Sequence, residues 1–315
     1  MRKIVVVDGY TVNPGDLSWE GLRGLGEVTV YDRSLPHEVA QRIQGAEIVV
    51  ANKVPLTQEV LAQAQDLRYV TVMATGYDCV DETKARQQGI AVSNVPAYGT
   101  DTVAQFTMAL LLELCHQVGR HNASVQEGQW SETPDFCYTL TPQVELSGKR
   151  LGLIGCGRIG ARVGALAQAF GMEVVALSGH RAPQGMPTLS LEELLGTSHV
   201  ISLHCPLTEE TQGLMNATTL GWMRPDAFLL NASRGALVVE EDLCRALRQG
   251  ELAGAALDVA CVEPLPADSP LLGIPNLILT PHMAWASKEA RQRILNVTAE
   301  NIQSYLQGDI AHRVI

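Results

Sequence analysis

The sequence has no CxxC pair, no long apolar run, no basic excess and no metal-ligand signature. Its seven cysteines stand apart at positions 79, 115, 137, 156, 205, 244 and 261. An odd count without regular spacing excludes a disulfide framework or a zinc site and fits a reducing, cytoplasmic setting. No apolar stretch approaches the ~20 residues of a membrane span. The run in MRKIVVVDGY is far too short for a signal peptide, and Asp8 ends it. Lys and Arg number 23 against 34 Asp and Glu, a net charge of −11. Nucleic acid and anionic membranes both require a basic face, so neither is expected as a partner. With no HExxH and no paired-carboxylate ligand set, no metal is expected. Low-complexity segments and internal repeats are lacking as well.

What is present is ordinary globular material: 315 residues, 46% hydrophobic and 18% charged. That length is comfortable for two domains, each with its own core. In the first hundred residues, apolar runs at 4–8, 27–32, 46–52 and 68–74 read as strands. Polar stretches of helical pattern separate them. Strands that are apolar throughout, alternating with helices, imply a parallel sheet covered on both faces. NVPAYGTDTVAQF (94–106) breaks the rhythm, and Asp101 or Thr102 is placed to cap one long apolar helix running through Arg120. From 149 the alternation restarts, with strands at 149–155, 173–178, 199–204, 227–233, 254–259 and 277–282. The chain closes on an amphipathic helix, SKEARQRILNVTAENIQSYLQG. Two α/β domains are expected.

GCGRIG (155–160) matches G-x-G-x-x-G. The pattern alone is weak, but here a strand precedes it, and a helix with apolar Ile159, Val163, Leu166 and Phe170 follows. Gly155 permits the tight turn, Gly157 lets a pyrophosphate approach the backbone, and Gly160 lets helix and strand pack closely. The helix N-terminus offers N–H groups and a positive dipole end to phosphates.

Three separated blocks carry groups suited to chemistry. NASRG places Arg234 just past a strand, DVACVEP places Asp258 at a strand end and Glu263 in the next loop, and LTPHMAW places His282 past the last strand. Singly, each has a bland reading: a surface Arg, a turn Glu, a packed His. Together they sit at carboxyl strand ends, which share one edge in a doubly wound sheet, and ligands bind along that edge.

These blocks resemble those of the D-isomer-specific 2-hydroxyacid dehydrogenases. GCGRIG, HCPLT, NASRGALV, ALDVACVEP and TPHMAW follow one another as in that family, nearly end to end. DGYTVNPGDLSW, ATGYDCVD and the Trp285 variant of the His block are most similar to its glycerate dehydrogenase (hydroxypyruvate reductase) branch. Glu at 263 rather than Gln argues against the formate dehydrogenase relatives.

The resemblance implies two Rossmann-like or flavodoxin-like domains with parallel sheets and an active-site cleft between them. Residues 1–98 with 286–315 would bind substrate, and 99–285 the dinucleotide; the enzyme would be a homodimer built on the dinucleotide domain. It implies NAD(P)H as cofactor and a small 2-keto or 2-hydroxy acid as substrate. His282 would be the acid–base group, its imidazole suited to proton transfer near neutrality. Glu263 would orient it, and Arg234 would hold the substrate carboxylate. Gly76 and Tyr77 would contribute backbone N–H groups; Asn52, Lys53 and Trp285 are further substrate-side candidates. Asp258 would bond the nicotinamide carboxamide. Further cofactor contacts are implied for Thr102, Gly155, Gly157, Arg158, Ile159, Gly160, Ser178, His180, Arg181, His204, Cys205, Pro206, Thr211, Asn231, Ala232, Ser233, His282 and Ala284.

One expected group is missing. Where such a fold places an acid for the ribose 2′-hydroxyl of NAD, this chain reads Ser178, Gly179, His180, Arg181. Loss of the acid removes repulsion of a 2′-phosphate, and His180 and Arg181 are suited to meet one. The reading is tolerance of, and preference for, NADPH; the alternative is a solvated Arg181 and ordinary NADH binding. Two functional alternatives also stand: a D-lactate dehydrogenase, and a nicotinamide-sensing binding protein on the same fold.

Overall fold

The computed structural model describes residues 2–179 and 182–315. The chain divides into two compact units, residues up to Gly99 together with Ala286–Ile315, and Thr100–Trp285.

The first unit is built on parallel strands β1 (Lys3–Val6), β2 (Glu27–Val30), β3 (Ile48–Ala51), β4 (Tyr69–Val72) and β5 (Ala91–Ser93), in the order β2-β1-β3-β4-β5. Helices α1 (Glu20–Arg23), α2 (Pro36–Arg42), α3 (Gln58–Gln63) and α4 (Glu82–Gln88) connect them. β3 and β4 are buried at every residue, as their apolar, β-branched composition requires of strands covered on both sides. β5 is not foreseen in the sequence, because three residues carry no readable period. It forms by pairing: Tyr69 lies opposite Ala91 on one side, while Ser93 bridges antiparallel to Arg313 on the other.

In the second unit α5 (Thr100–His116), α6 (Val118–Gln126) and α7 (Gln129–Glu132) precede a βα succession. It runs β6 (Arg150–Ile154), α8 (Arg158–Ala169), β7 (Glu173–Leu177), β8 (Thr188–Leu189), α9 (Leu191–Thr197), β9 (Val200–Leu203), α10 (Ala217–Gly221), β10 (Phe228–Asn231), α11 (Glu240–Gln249), β11 (Gly254–Leu257) and β12 (Leu277–Leu279). All pairings are parallel, in the order β12-β11-β10-β9-β6-β7-β8. The connectivity reverses between β6 and β9, the switch point where open α/β sheets bind ligands beyond the carboxyl strand ends. Met108 and Leu111 of α5 and Val163 and Ala167 of α8 pack on one set of strand side chains. Leu194 of α9 and Leu243 and Leu247 of α11 pack on the other.

Two expectations change. The long helix does not run unbroken through Arg120: Gln117 adopts φ +44° and separates α5 from α6. The apolar period continues across the break, but α6 is held by the segment beyond it, with Leu140 N–H on His121 and Tyr138 on Ser124. Nor do Asp101 and Thr102 cap α5, which already starts at Thr100. Asp101 instead accepts a 2.7 Å bond from Arg162 of α8.

The closing helix, α12 (Lys288–Leu306), is capped by Ser287 and belongs to the first unit. Asn301, fully buried, donates to Thr71 of β4 and to the Asn94 carbonyl, and Tyr305 stacks on Tyr69 at 4.5 Å.

Candidate active site

The carboxyl ends of β6, β7, β9, β10, β11 and β12 release, in turn, Gly155, Ser178, His204, Ala232, Asp258 and Thr280. Parallel pairing puts all six on one edge of the sheet.

The glycine loop fits a dinucleotide by its own geometry. Gly155 has φ +98°, and a Cβ there would lie 2.4 Å from the Cys205 backbone nitrogen. A Cβ on Gly160 would lie 2.1 Å from the Gly155 carbonyl oxygen. Strand, loop and helix therefore touch backbone to backbone. Gly157 is the opposite case: it is exposed, and a Cβ there would meet nothing within 4 Å. It is the N-cap of α8 without a side-chain cap, so the first N–H groups of Arg158, Ile159 and Gly160 face a space suited to phosphate.

The neighbouring turns are closed by their own polar groups. Thr211 Oγ1 donates to the Pro206 carbonyl at 2.7 Å and accepts Thr208 N–H at 2.8 Å. Ser233 Oγ donates to the Cys205 carbonyl, tying the turn after β10 to the turn after β9. Asn231 is fully buried, donates to the Arg234 carbonyl and accepts Ser233 N–H. Its side chain shapes the turn from within; Ala232 and Ser233 are half-buried there. Thr102 lies in the first turn of α5 and Ser178 in the turn after β7, while His180 and Arg181 lie outside the described residues.

His204 is held neutral. Burial pushes its imidazole from 6.5 down to about 4, and Nε2 bonds Ser202 at 2.8 Å. Between those two values the unfolded chain binds a proton that the folded chain refuses. The stability this ring contributes is complete above pH 6.5 and declines as pH falls toward 4, by at most about 1.4 kcal/mol per pH unit. His204→Gln should narrow the difference in unfolding free energy between neutral and mildly acidic buffer in chemical denaturation. An unchanged difference would mean that His204 titrates freely.

The three separated candidates meet in part. His282 Nδ1 and Glu263 Oε2 are 2.6 Å apart, with side chains 30% and 38% exposed, so the pair is open to a ligand. Glu263 also accepts Ala260 N–H through Oε1 at 3.0 Å. His282 has φ +51°, a left-handed backbone rarely taken by a residue with a side chain. What holds it there is Asp258, buried at 1% exposure. Asp258 Oδ1 accepts Thr280 Oγ1 at 2.6 Å and Met283 N–H at 2.9 Å, and Oδ2 accepts Ala284 N–H at 2.8 Å. Asp258 thus binds both flanks of the His282 turn, a task the sequence did not reveal; Thr280 was missed for the same reason. Arg234, at the next strand end but one, is exposed, with Nη1 on the Ser233 carbonyl at 2.9 Å. Trp285, half-buried, is the last residue of this unit.

In the first unit the candidates lie past β3 and β4. Asn52, 3% exposed, donates its amide to Thr11 at 2.8 Å, and Lys53 is exposed. Gly76 and Tyr77 are half-buried in the turn after β4. Sequence reading missed Asp8 as the organiser here. Its carboxylate accepts the N–H groups of Asn52, Lys53 and Val54 at 2.8, 2.6 and 2.9 Å. The available signal was an acid placed directly after an apolar strand.

The model of the D-isomer specific 2-hydroxyacid dehydrogenase NAD-binding domain matches residues 108–284, which span this glycine loop, the Arg234 turn and the His282–Glu263 pair. The chain belongs to the D-isomer-specific 2-hydroxyacid dehydrogenase family. Within it, the chain is similar to a hydroxypyruvate reductase of Blautia hydrogenotrophica, 48% identical over 97% of both chains. It is also similar to a glycerate dehydrogenase of Methylorubrum extorquens, 40% identical over 87% of both. Among solved structures, an NADPH-dependent glyoxylate/hydroxypyruvate reductase from Sinorhizobium meliloti, in complex with citrate, superposes with a TM-score of 0.86 at 26% identity, covering 100% of this chain and 98% of that one. As a member of this dehydrogenase family the chain is an oxidoreductase that uses a nicotinamide cofactor.

Proposed function

We propose that this dehydrogenase reduces hydroxypyruvate and glyoxylate and prefers NADPH to NADH. The observation that carries the reading is the 2.6 Å His282–Glu263 pair on the strand edge that also opens the glycine loop. The names of its similar relatives support the substrate class.

When bound, the nicotinamide supplies the hydride in reduction and accepts it in oxidation. His282 donates a proton to the keto oxygen and takes it back in the reverse direction. Glu263 fixes the ring through Nδ1, leaving Nε2 for the substrate. Arg234 holds the substrate carboxylate in its planar fork and polarises the keto group. The N–H groups of Gly76 and Tyr77 take further carboxylate contacts. Lys53 and Asn52, the latter with its amide on Thr11, are the substrate-side candidates of the first unit, and Trp285 is one of the second. The unit made of residues up to Gly99 with Ala286–Ile315 is the substrate-binding domain in this reading.

The cofactor is held by the first turn of α8 at its phosphates and by Ser178, His180 and Arg181 at the adenosine ribose. Thr102, His204, Cys205, Pro206, Thr211, Asn231, Ala232, Ser233 and Ala284 complete its surroundings. Asp258 has three of its roughly four acceptor positions filled by the His282 turn, and the remaining one suits a carboxamide N–H. A homodimer through the second unit is supported by its exposed apolar side chains, Val118, Trp130 and Phe136, the last 90% exposed. A cytoplasmic setting is supported by seven unpaired cysteines.

Initial rates with hydroxypyruvate, glyoxylate and pyruvate, each with NADH and NADPH, test the proposal. The expected result is fastest turnover of hydroxypyruvate with NADPH. Ser178→Asp should reverse the cofactor preference by roughly tenfold or more, since about 1.4 kcal/mol of repulsion is a factor of ten. Rates with NADH equal to or above those with NADPH would remove the cofactor reading. Fastest turnover of pyruvate would replace the substrate, and no turnover of any keto acid would move the chain to the sensing class.

A further inference from the structure

Glu240 is the first residue of α11 and has no part in the mechanism above. Its carboxylate does not close its own helix. It reaches across to the loop after β11 and accepts Cys261 N–H at 2.7 Å. The amide just before, Ala260 N–H, ends on Glu263. Two successive amides of one loop are therefore each held by a carboxylate, one from inside the loop and one from outside. The inside one is the same Glu263 that touches His282.

The segment 235–240 grips this loop at two further points. A Cβ on Gly235 would lie 2.0 Å from the Ala260 carbonyl carbon, so the backbone beside Arg234 packs directly on that peptide. Cys261 Sγ lies 3.7 Å from the Val238 carbonyl. Burial and the nearby Glu240 push the Cys261 thiol up to about 11, so the loop brings no second anion beside Glu263. Glu263 is exposed and is not held by packing. Its carboxylate can be no better placed than the loop that carries it.

We infer that Glu240 is a positioning residue: it fixes the 260–263 loop, and through it the Glu263 carboxylate against His282. The inference rests on the acid–base assignment of His282. The charged groups that act on this loop are Glu263 from within it and Glu240 and Glu241 from the first turn of α11, while Asp242 is turned to Ala217 N–H and Arg245.

Two conservative variants separate reach from charge. Glu240→Gln keeps an acceptor oxygen at the same length and loses the charge. Glu240→Asp keeps the charge and is one methylene too short. If Glu240 positions the loop, E240Q retains kcat within about threefold, while E240D loses roughly ten- to a hundredfold, the scale expected of an ångström-level misplacement. In E240D the loss should fall on kcat rather than on cofactor affinity. The KM for NADPH should stay unchanged, and hydrogen exchange at the Cys261 amide should accelerate. Melting curves establish that both variants are folded, and if E240D does not fold, exchange at Cys261 in E240Q reads the same bond. Two near-wild-type variants, or an E240Q more damaged than E240D, would overturn the inference. His282→Ala in the same series tells the failures apart: an active H282A overturns the acid–base assignment and this inference together, whereas an inactive H282A beside an unaffected E240D overturns this one alone.

Discussion

Replacing His282 is expected to lower kcat for keto-acid reduction by roughly a hundred- to ten-thousandfold, the range a positioned general acid supplies. NADPH binding should change by no more than about twofold, because the loop proposed to hold its phosphates belongs to β6 and α8. The substitution must respect the backbone. His282 sits at φ +51°, and of the residues with side chains Asn adopts that conformation most readily. His282→Asn is therefore the cleaner variant and His282→Ala the confirming one. Asp258 bonds Thr280, Met283 and Ala284, none of which is altered, so the turn survives either change. Single-turnover kinetics with NADPH fluorescence read the chemical step directly. Activity within about fivefold of wild type in both variants would remove His282 from the proton-transfer role.

The second large effect is expected at Gly160. A methyl group there would stand 2.1 Å from the Gly155 carbonyl oxygen and 3.3 Å from His204 Cβ, and the nearer neighbour is backbone that cannot rotate away. Gly160→Ala must push the start of α8 off the strand end. Overpacking of this kind costs about 1–3 kcal/mol, and it moves the first N–H groups of α8, which are proposed to hold the phosphates. Loss of NADPH affinity by about a hundredfold and a clear drop in Tm are expected together. Gly157→Ala is the control, since a Cβ there meets nothing within 4 Å. It should melt like wild type yet bind NADPH several-fold more weakly, its methyl occupying the space a pyrophosphate would use. Calorimetric titration and thermal melting read both variants. A G160A protein with wild-type affinity would show that the contact between loop and helix does not set the phosphate site.

Much of this architecture was legible because its signals are local. Strands buried on both faces must be apolar along their whole length, so KIVV, IVVA, YVTV and RLGLI announce themselves. Close backbone contact at a strand-to-helix turn leaves room only for glycine, which is why GCGRIG is readable. Strand β5 was not legible, since its three residues exist as a strand only through β4 and the chain terminus. The break at Gln117 was hidden because the apolar period runs through it, and the loop that holds α6 arrives twenty residues later.

At the site the division is similar. By itself the sequence determined the residue types at the carboxyl strand ends, the glycines of the loop and the absence of an acid at 178, because each is set by chemistry within one short segment. Only the tertiary structure decided which of these groups touch. It paired His282 with Glu263, turned Asp258 from an edge residue into the clasp of the His282 turn, and brought Glu240 to Cys261 and Asp8 to the 52–54 segment. Each of those bonds joins residues from different strand–helix units, and no spacing along the chain encodes a distance that only the packing of the sheet creates.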